Sequence, residues 1–282
     1  EWAQGPYEKR PLLTSYLSPL TSEQWFESER PLLLKTPDGT YVALLEAAMK
    51  DYTRGKFRLA KDNVLQVAMY DCADIISPYD TPWRVIMAGD RAVDLINHKD
   101  LVLNLNNEPA ESDWSWVRPG KAFRSGKLTK EAIFKSIDYC KQFGFDYVEL
   151  DAGWYGPEGK VASDARRRTV GNGGFTMPEV CAYANSQGIG VWVYVNQRAL
   201  YRQLDELLPL YEQWGISGIK FGFVHIGNQQ WSTWLHDAVE KCARHHIMVD
   251  IHDEYRPTGL SRTYPNLLTQ EGIRGNEEMP DA

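Results

Sequence analysis

From residue 130 onward helical and strand patterns alternate, and this alternation constrains the fold more than any other feature of the chain. Helical spacing over 130–143 leads into a strand at 147–150, and a helix at 178–186 into a strand at 190–195. A helix at 204–214 precedes a strand at 218–224, a helix at 231–246 precedes a strand at 247–251, and another strand begins at 266–268. Gly144, Gly188 and Gly215 stand where helix C-caps are expected. Such an order implies a parallel sheet, because each helix returns the chain to the same end of the sheet. A Rossmann-like sheet would carry GxGxxG after its first strand, and neither that motif nor a Walker loop is present. Acids stand instead at the ends of several different strands, which favours a TIM-type (β/α)8 barrel. With an opening strand near 117–123 the sequence supplies six strands, and a closed barrel has eight. The expectation is an α/β chain with an incomplete barrel over 116–282.

Residues 1–115 read differently. Short β segments at 31–35, 41–45, 64–69, 83–88 and 101–105 are separated by turn signals such as Pro37-Asp38-Gly39. They predict a mostly antiparallel region. The net charge of −7 disfavours nucleic acid as a partner, since phosphate recognition needs a basic footprint. No apolar run approaches the ~20 residues of a membrane span. The four cysteines, Cys72, Cys140, Cys181 and Cys242, form no CxxC pair and match no zinc spacing, so free thiols are expected. The chain begins at Glu1 and ends MPDA. Both ends read as cut, and the piece alone is expected to be poorly active.

The strand ends carry the chemistry. Period-two alternation puts Tyr147, Glu149 and Asp151 on one face. Asp151 then ends its strand, with Trp154 close behind; a sugar hydroxyl bound by Asp151 beside an aromatic platform is one reading, and a turn-forming Asp before Gly153 the other. Trp192, Tyr194 and Asn196 share an inner face, Trp192 as filling and Asn196 as a candidate ligand contact. Lys220 and Gly222 share the next. A lysine inside a barrel is costly unless paired, so Lys220 reaches a ligand or a carboxylate, or snorkels to the rim. Along 247–254 the polar face is Met248, Asp250, His252 and Glu254. Strict alternation aims Glu254 inward, yet Asp253 stays in play because alternation often fails at a strand end. Glu271, Glu277 and Glu278 follow the last strand. Paired carboxylates at neighbouring strand ends suit glycoside or metal-assisted hydrolysis. Clustered acids raise one another's pKa, as a glycosidase acid requires, and oxygen-only ligands suit Ca²⁺ rather than zinc.

These motifs resemble glycoside hydrolase family 97, which holds inverting α-glucosidases and retaining α-galactosidases. The matching stretches are LLEAAMKDY (44–52), PWRVIMAGD (82–90), LVLNLN (101–106), SWVRPGK (115–121), DAGWYG (151–156), GIKFGFV (218–224) and HDEYRPTGLSRTYPNLLTQEGIRGNE (252–277). The resemblance implies a β-supersandwich domain, with residues 1–115 as its C-terminal part, followed by a (β/α)8 barrel. It also implies Glu277 as general acid, Glu46, Asp253 and Glu271 as Ca²⁺ ligands, and Lys220 and His252 as sugar contacts. Relatives are commonly periplasmic, so a periplasmic or secreted location is implied too. Retaining members carry an Asp nucleophile at the position of Gly222, and glycine cannot attack an anomeric carbon. The inverting members use Glu where this chain has Asp253, and a second Glu falls near Asn196–Gln197, where no carboxylate stands. The expected function is hydrolysis of terminal α-glucosides or α-galactosides, Ca²⁺-dependent and inverting, with Glu277 as acid and Asp253 or Glu254 as base. The rival is an impaired or non-catalytic barrel that binds carbohydrate without cleaving it.

Overall fold

The structure, a computed structural model, describes residues 2–3, 25, 31–252 and 255–271. The first part is antiparallel. Strands β1 (Trp2–Ala3), β2 (Leu32–Lys35), β3 (Tyr41–Ala47) and β6 (Trp83–Gly89) form one sheet in that order, and β4 (Gly55–Leu59) pairs with β5 (Leu65–Met69) as a separate hairpin. Two short helices follow, α1 (Ala92–Asn97) and α2 (Asp100–Asn104). The second part is a parallel sheet of six strands in sequential order: β7 (Ala122–Arg124), β8 (Tyr147–Leu150), β9 (Gly190–Asn196), β10 (Gly218–Gly222), β11 (Met248–His252) and β12 (Leu267–Glu271). Its connections carry α3 (Lys130–Phe143), α4 (Met177–Ser186), α5 (Gln197–Trp214), α6 (Gln229–Arg244) and α7 (Leu260–Thr263).

Local chemistry explains these boundaries. Thr129 caps α3 by accepting from the Ala132 N–H, and Gly144 ends it in the left-handed conformation that glycine adopts without a Cβ clash. Ile133, Ile137 and Cys140 recur at helical spacing on the buried stripe of α3. On the sheet, Val148, Leu150, Val191, Val193, Val195, Ile219, Phe221, Val249 and Ile251 face the helices in one continuous core. The alternate residues face the other way: Tyr147, Trp192 and Met248 form a second apolar layer with Trp116 and Leu268. The expected inner faces are therefore those observed.

Several expectations are corrected. Residues 101–105 are not a strand, because α2 takes up 101–104 with only Val102 buried and Leu105 caps it; a short apolar run fits either element. The opening strand is three residues long and starts at Ala122, not at 117. Helix α5 starts at Gln197, seven residues before the apolar spacing declares it, because Asn196 caps it there. The three helical cysteines are buried, Cys72 is exposed, and all four are free.

The two parts dock through the chain that follows β3. The Ala48 N–H donates to the Thr258 carbonyl (3.0 Å), and the Arg54 N–H and Thr53 hydroxyl both donate to the Gly227 carbonyl at 2.9 Å. Gln229 and Thr233 donate to Asp51 Oδ1 at 3.0 and 2.7 Å. These contacts press the antiparallel region onto the segments that leave β10 and β11, the end where the parallel strands finish.

Candidate functional site

Three neighbouring strands bring a linked polar set to that end. Lys220 lies in the middle of β10, opposite Tyr194 on β9 and Asp250 on β11. Its ammonium reaches Glu271 Oε2 at 2.9 Å and Glu149 Oε1 at 3.9 Å. Glu271 in turn lies 3.5 Å from His252 Nε2. Lys220 is thus paired inside the sheet's concave face rather than snorkelling, and it bridges the interior carboxylates to the strand ends. A cavity of about 320 Å³ beside it is lined by Glu149, Lys220, Asp250, Tyr147, Trp192 and Thr269.

The charges hold one another out of their usual ranges. Burial, reinforced by Asp151 and Asp250, pushes Glu149 up to about 7 against the pull of Lys220. Burial and Glu271 push Asp250 up to about 6. Burial works against the Lys220 charge, yet Glu149, Glu271 and Asp151 outweigh it and raise the ammonium's pKa. The alternation had placed Glu149 and Asp250 on the inner face but gave them no role, because the pairing with Lys220 depends on strand register.

A pH prediction follows from Glu149. Between its ordinary pKa and about 7 the folded chain keeps a proton that the unfolded chain has lost, so stability falls as pH rises across that window. Glu149→Gln removes this titration. The variant should gain about 2 kcal/mol on the unchanged chain between pH 5 and pH 8, read by urea unfolding at both values. A difference that does not vary with pH would mean that Glu149 does not fold as the neutral acid.

The other expected site residues divide. Asp151 directly follows β8 and is held by Arg124 Nε at 2.7 Å. Asn196 is buried and serves the fold: its Oδ1 accepts from the Arg198 N–H as the cap of α5, and its Nδ2 donates to the Tyr194 hydroxyl at 3.1 Å. Trp154 is not a platform. It is fully buried and donates to the Tyr194 carbonyl at 2.6 Å, so its ring fills the core. Glu46 is 2% exposed, with Arg84 at 2.7 Å and the Gly55 N–H at 3.0 Å on the same oxygen. Asp253, Glu254 and Glu277 lie outside the described residues.

Gly222 has a specific neighbour. A Cβ there would stand 2.0–2.2 Å from the ring and hydroxyl of Tyr194. Tyr194 is 2% exposed, and burial holds its phenol well above its usual pKa. The next residue, Phe223, takes a φ of +50°, a left-handed conformation that costs a bulky L-residue ~1 kcal/mol or more. The residue is nonetheless 53% exposed, and its ring lies 5.1 Å from the His252 ring.

Carboxylate oxygens suit Ca²⁺, and of the implied set Glu46 and Glu271 are described while Asp253 is not. Glu46 and Glu271 are each held by a basic side chain, and among the described residues no group of three or more His, Cys, Asp or Glu is placed to hold a metal ion.

The model of glycoside hydrolase 97 matches residues 110–273, and that of the glycosyl-hydrolase 97 N-terminal region matches 2–109. The chain belongs to glycoside hydrolase family 97. Within the family it is 31% identical over 208 residues to a protein of Streptomyces bingchenggensis named a probable retaining alpha-galactosidase, covering 70% of this chain and 32% of that protein. It is 27% identical over 288 residues to the retaining alpha-galactosidase of Bacteroides thetaiotaomicron, covering 88% of this chain and 42% of that one. The fold matches a family 97 enzyme of a Pseudoalteromonas species, solved in complex with acarbose, with a TM-score of 0.77 at 24% identity; the match covers 98% of this chain and 47% of that one. This family 97 chain thus spans less than half the length of these relatives.

Proposed function

We propose that the chain is part of an α-glycosidase that hydrolyses terminal α-glucosides or α-galactosides with inversion. The reading rests on family membership together with one observation: the Lys220 ammonium, from the middle of β10, meets Glu271 at the end of β12, beside His252 at the end of β11. Six strands in sequential parallel order support a barrel of the TIM type, closed by two more strands. Glu277, soon after β12, would protonate the leaving oxygen. Asp253 or Glu254, directly after β11, would deprotonate a water on the opposite face of the sugar. Inversion needs these carboxyls ~6.5–9.5 Å apart, which neighbouring strands ~4.8 Å apart can supply. Lys220 and His252, and Asp151 at the end of β8, would hold sugar hydroxyls. Ca²⁺ on Glu46, Asp253 and Glu271 belongs to the proposal, with no step routed through it. Periplasmic or secreted placement belongs to it as well; no helix among the described residues is long and apolar enough to cross a membrane.

The relatives named retaining weigh against inversion, and Gly222 weighs for it. The position that the resemblance gives to the nucleophile lacks a side chain and is filled by Tyr194. The same observation favours a second reading, a barrel that binds sugar without cleaving it. NMR of the first sugar anomer released from an aryl α-glycoside by the full-length protein, with and without a chelator, tests both. The expected product is the β-anomer, with turnover cut on the order of a hundredfold by Glu277→Gln. First release of the α-anomer would overturn inversion. Sugar binding without turnover would favour the binding barrel.

A further inference from the structure

We propose that the Phe223 ring is the apolar platform on which a pyranose ring stacks while its hydroxyls meet His252, Glu271 and Lys220. The inference rests on the glycosidase reading of the same site and names the residue that orients the sugar there. Phe223 directly follows β10, at the strand ends where that polar set converges. Its backbone is left-handed and the residue is 53% exposed. Burial therefore does not explain why a strained position keeps a large aromatic side chain; glycine or asparagine would sit there more easily. Strain held at a strand end is a pointer to function.

The surroundings say what the ring is for. Gly222 has no Cβ, so Tyr194 packs against its backbone and fills the space a side chain there would need. On one side the His252 ring stands 5.1 Å away at 60° and buttresses the phenyl group. His252 is near Glu271, and Glu271 is bonded to Lys220. A pyranose has an apolar patch of C–H bonds and a rim of hydroxyls. An open aromatic surface beside a cation, a carboxylate and an imidazole matches that amphipathic shape. Large rings also bring contact area with few rotatable bonds to fix.

The test uses the full-length protein with Phe223→Leu, Phe223→Gly and Phe223→Trp. Stacking predicts a KM for an aryl α-glycoside about tenfold higher in the Leu and Gly variants, with kcat within about threefold. The Trp variant should keep KM within about twofold. Phe223→Gly relieves the backbone, so its melting temperature should equal or exceed that of the unchanged protein, which separates lost stacking from lost folding. An unchanged KM in the Leu variant, or a Trp variant as impaired as the Leu one, overturns the proposal. If the unchanged protein hydrolyses nothing, the glycosidase reading fails on its own, and calorimetry with methyl α-glucoside and methyl α-galactoside replaces KM. Tenfold weaker binding in Phe223→Leu then supports the platform; equal binding, or no binding by the unchanged protein, overturns it.

Discussion

Lys220→Met is expected to destabilise the chain by about 3–5 kcal/mol at pH 8 and by far less at pH 5. The ammonium is the charge that joins Glu271, at 2.9 Å, to Glu149, at 3.9 Å, on a side chain only 14% exposed. Asp250 borders the same cavity. Met fills a similar volume, so the loss is electrostatic rather than a packing defect. At pH 8 three carboxyls would face one another without their cation, and each must stay charged in a poorly solvated place or take up a proton against the solution. At pH 5 the position differs. Glu149 with a pKa of about 7 and Asp250 at about 6 already carry protons there, so little charge is left unbalanced. In thermal terms the loss at pH 8 is a fall in melting temperature of roughly 10 °C. Lys220→Arg keeps the charge and should lose less. Equal destabilisation at both pH values would show that the lysine acts through packing, and would remove the electrostatic account of the cluster.

Much of this arrangement could be read before any coordinates. The strand positions 147–150 and the helix 130–143 match the structure because both carry strong periodicity and Gly144 marks the helix end. Alternation also placed Glu149, Lys220, Asp250 and His252 on one face, since that face follows from local geometry alone. What failed depended on the rest of the molecule. Residues 101–105 carry apolar side chains without a decisive period, and helix α2 was missed. Strand β4, with Lys56 and Arg58 on either side of the buried Phe57, has a weak apolar signal and shows itself only through its pairing with β5. Trp154 looks like a platform because it follows a strand end, yet the loop folds it into the core beneath Tyr194. The left-handed Phe223 has no signal at all in a run that reads as strand. Contacts between strands are set by register, and register is fixed by packing partners far along the chain.

Gly222→Asp is expected to destabilise the chain by about 3 kcal/mol or more without creating a retaining enzyme. The new Cβ would start 2.0 Å from the Tyr194 ring, so one of the two must move. The ring has nowhere easy to go. It is 2% exposed, its hydroxyl accepts from Asn196, and Asn196 caps α5. Displacing the ring therefore disturbs a helix start, a change that alone costs ~1 kcal/mol. Moving the backbone of β10 instead would pull on its pairing with both neighbours, β9 and β11. A chain that had merely lost its nucleophile should keep an empty pocket in which the carboxylate could be restored. Here the pocket is filled. The pair must then be coupled: Tyr194→Ala in the Gly222→Asp background should recover more than 1 kcal/mol relative to the sum of the single changes, read by urea unfolding of all four proteins. Only the double variant has room for a carboxylate at the strand end, so only it should respond if that position can act as a nucleophile. A Gly222→Asp protein with an unchanged melting temperature that releases the α-anomer first would show that Tyr194 gives way freely and that the position is open to the retaining route.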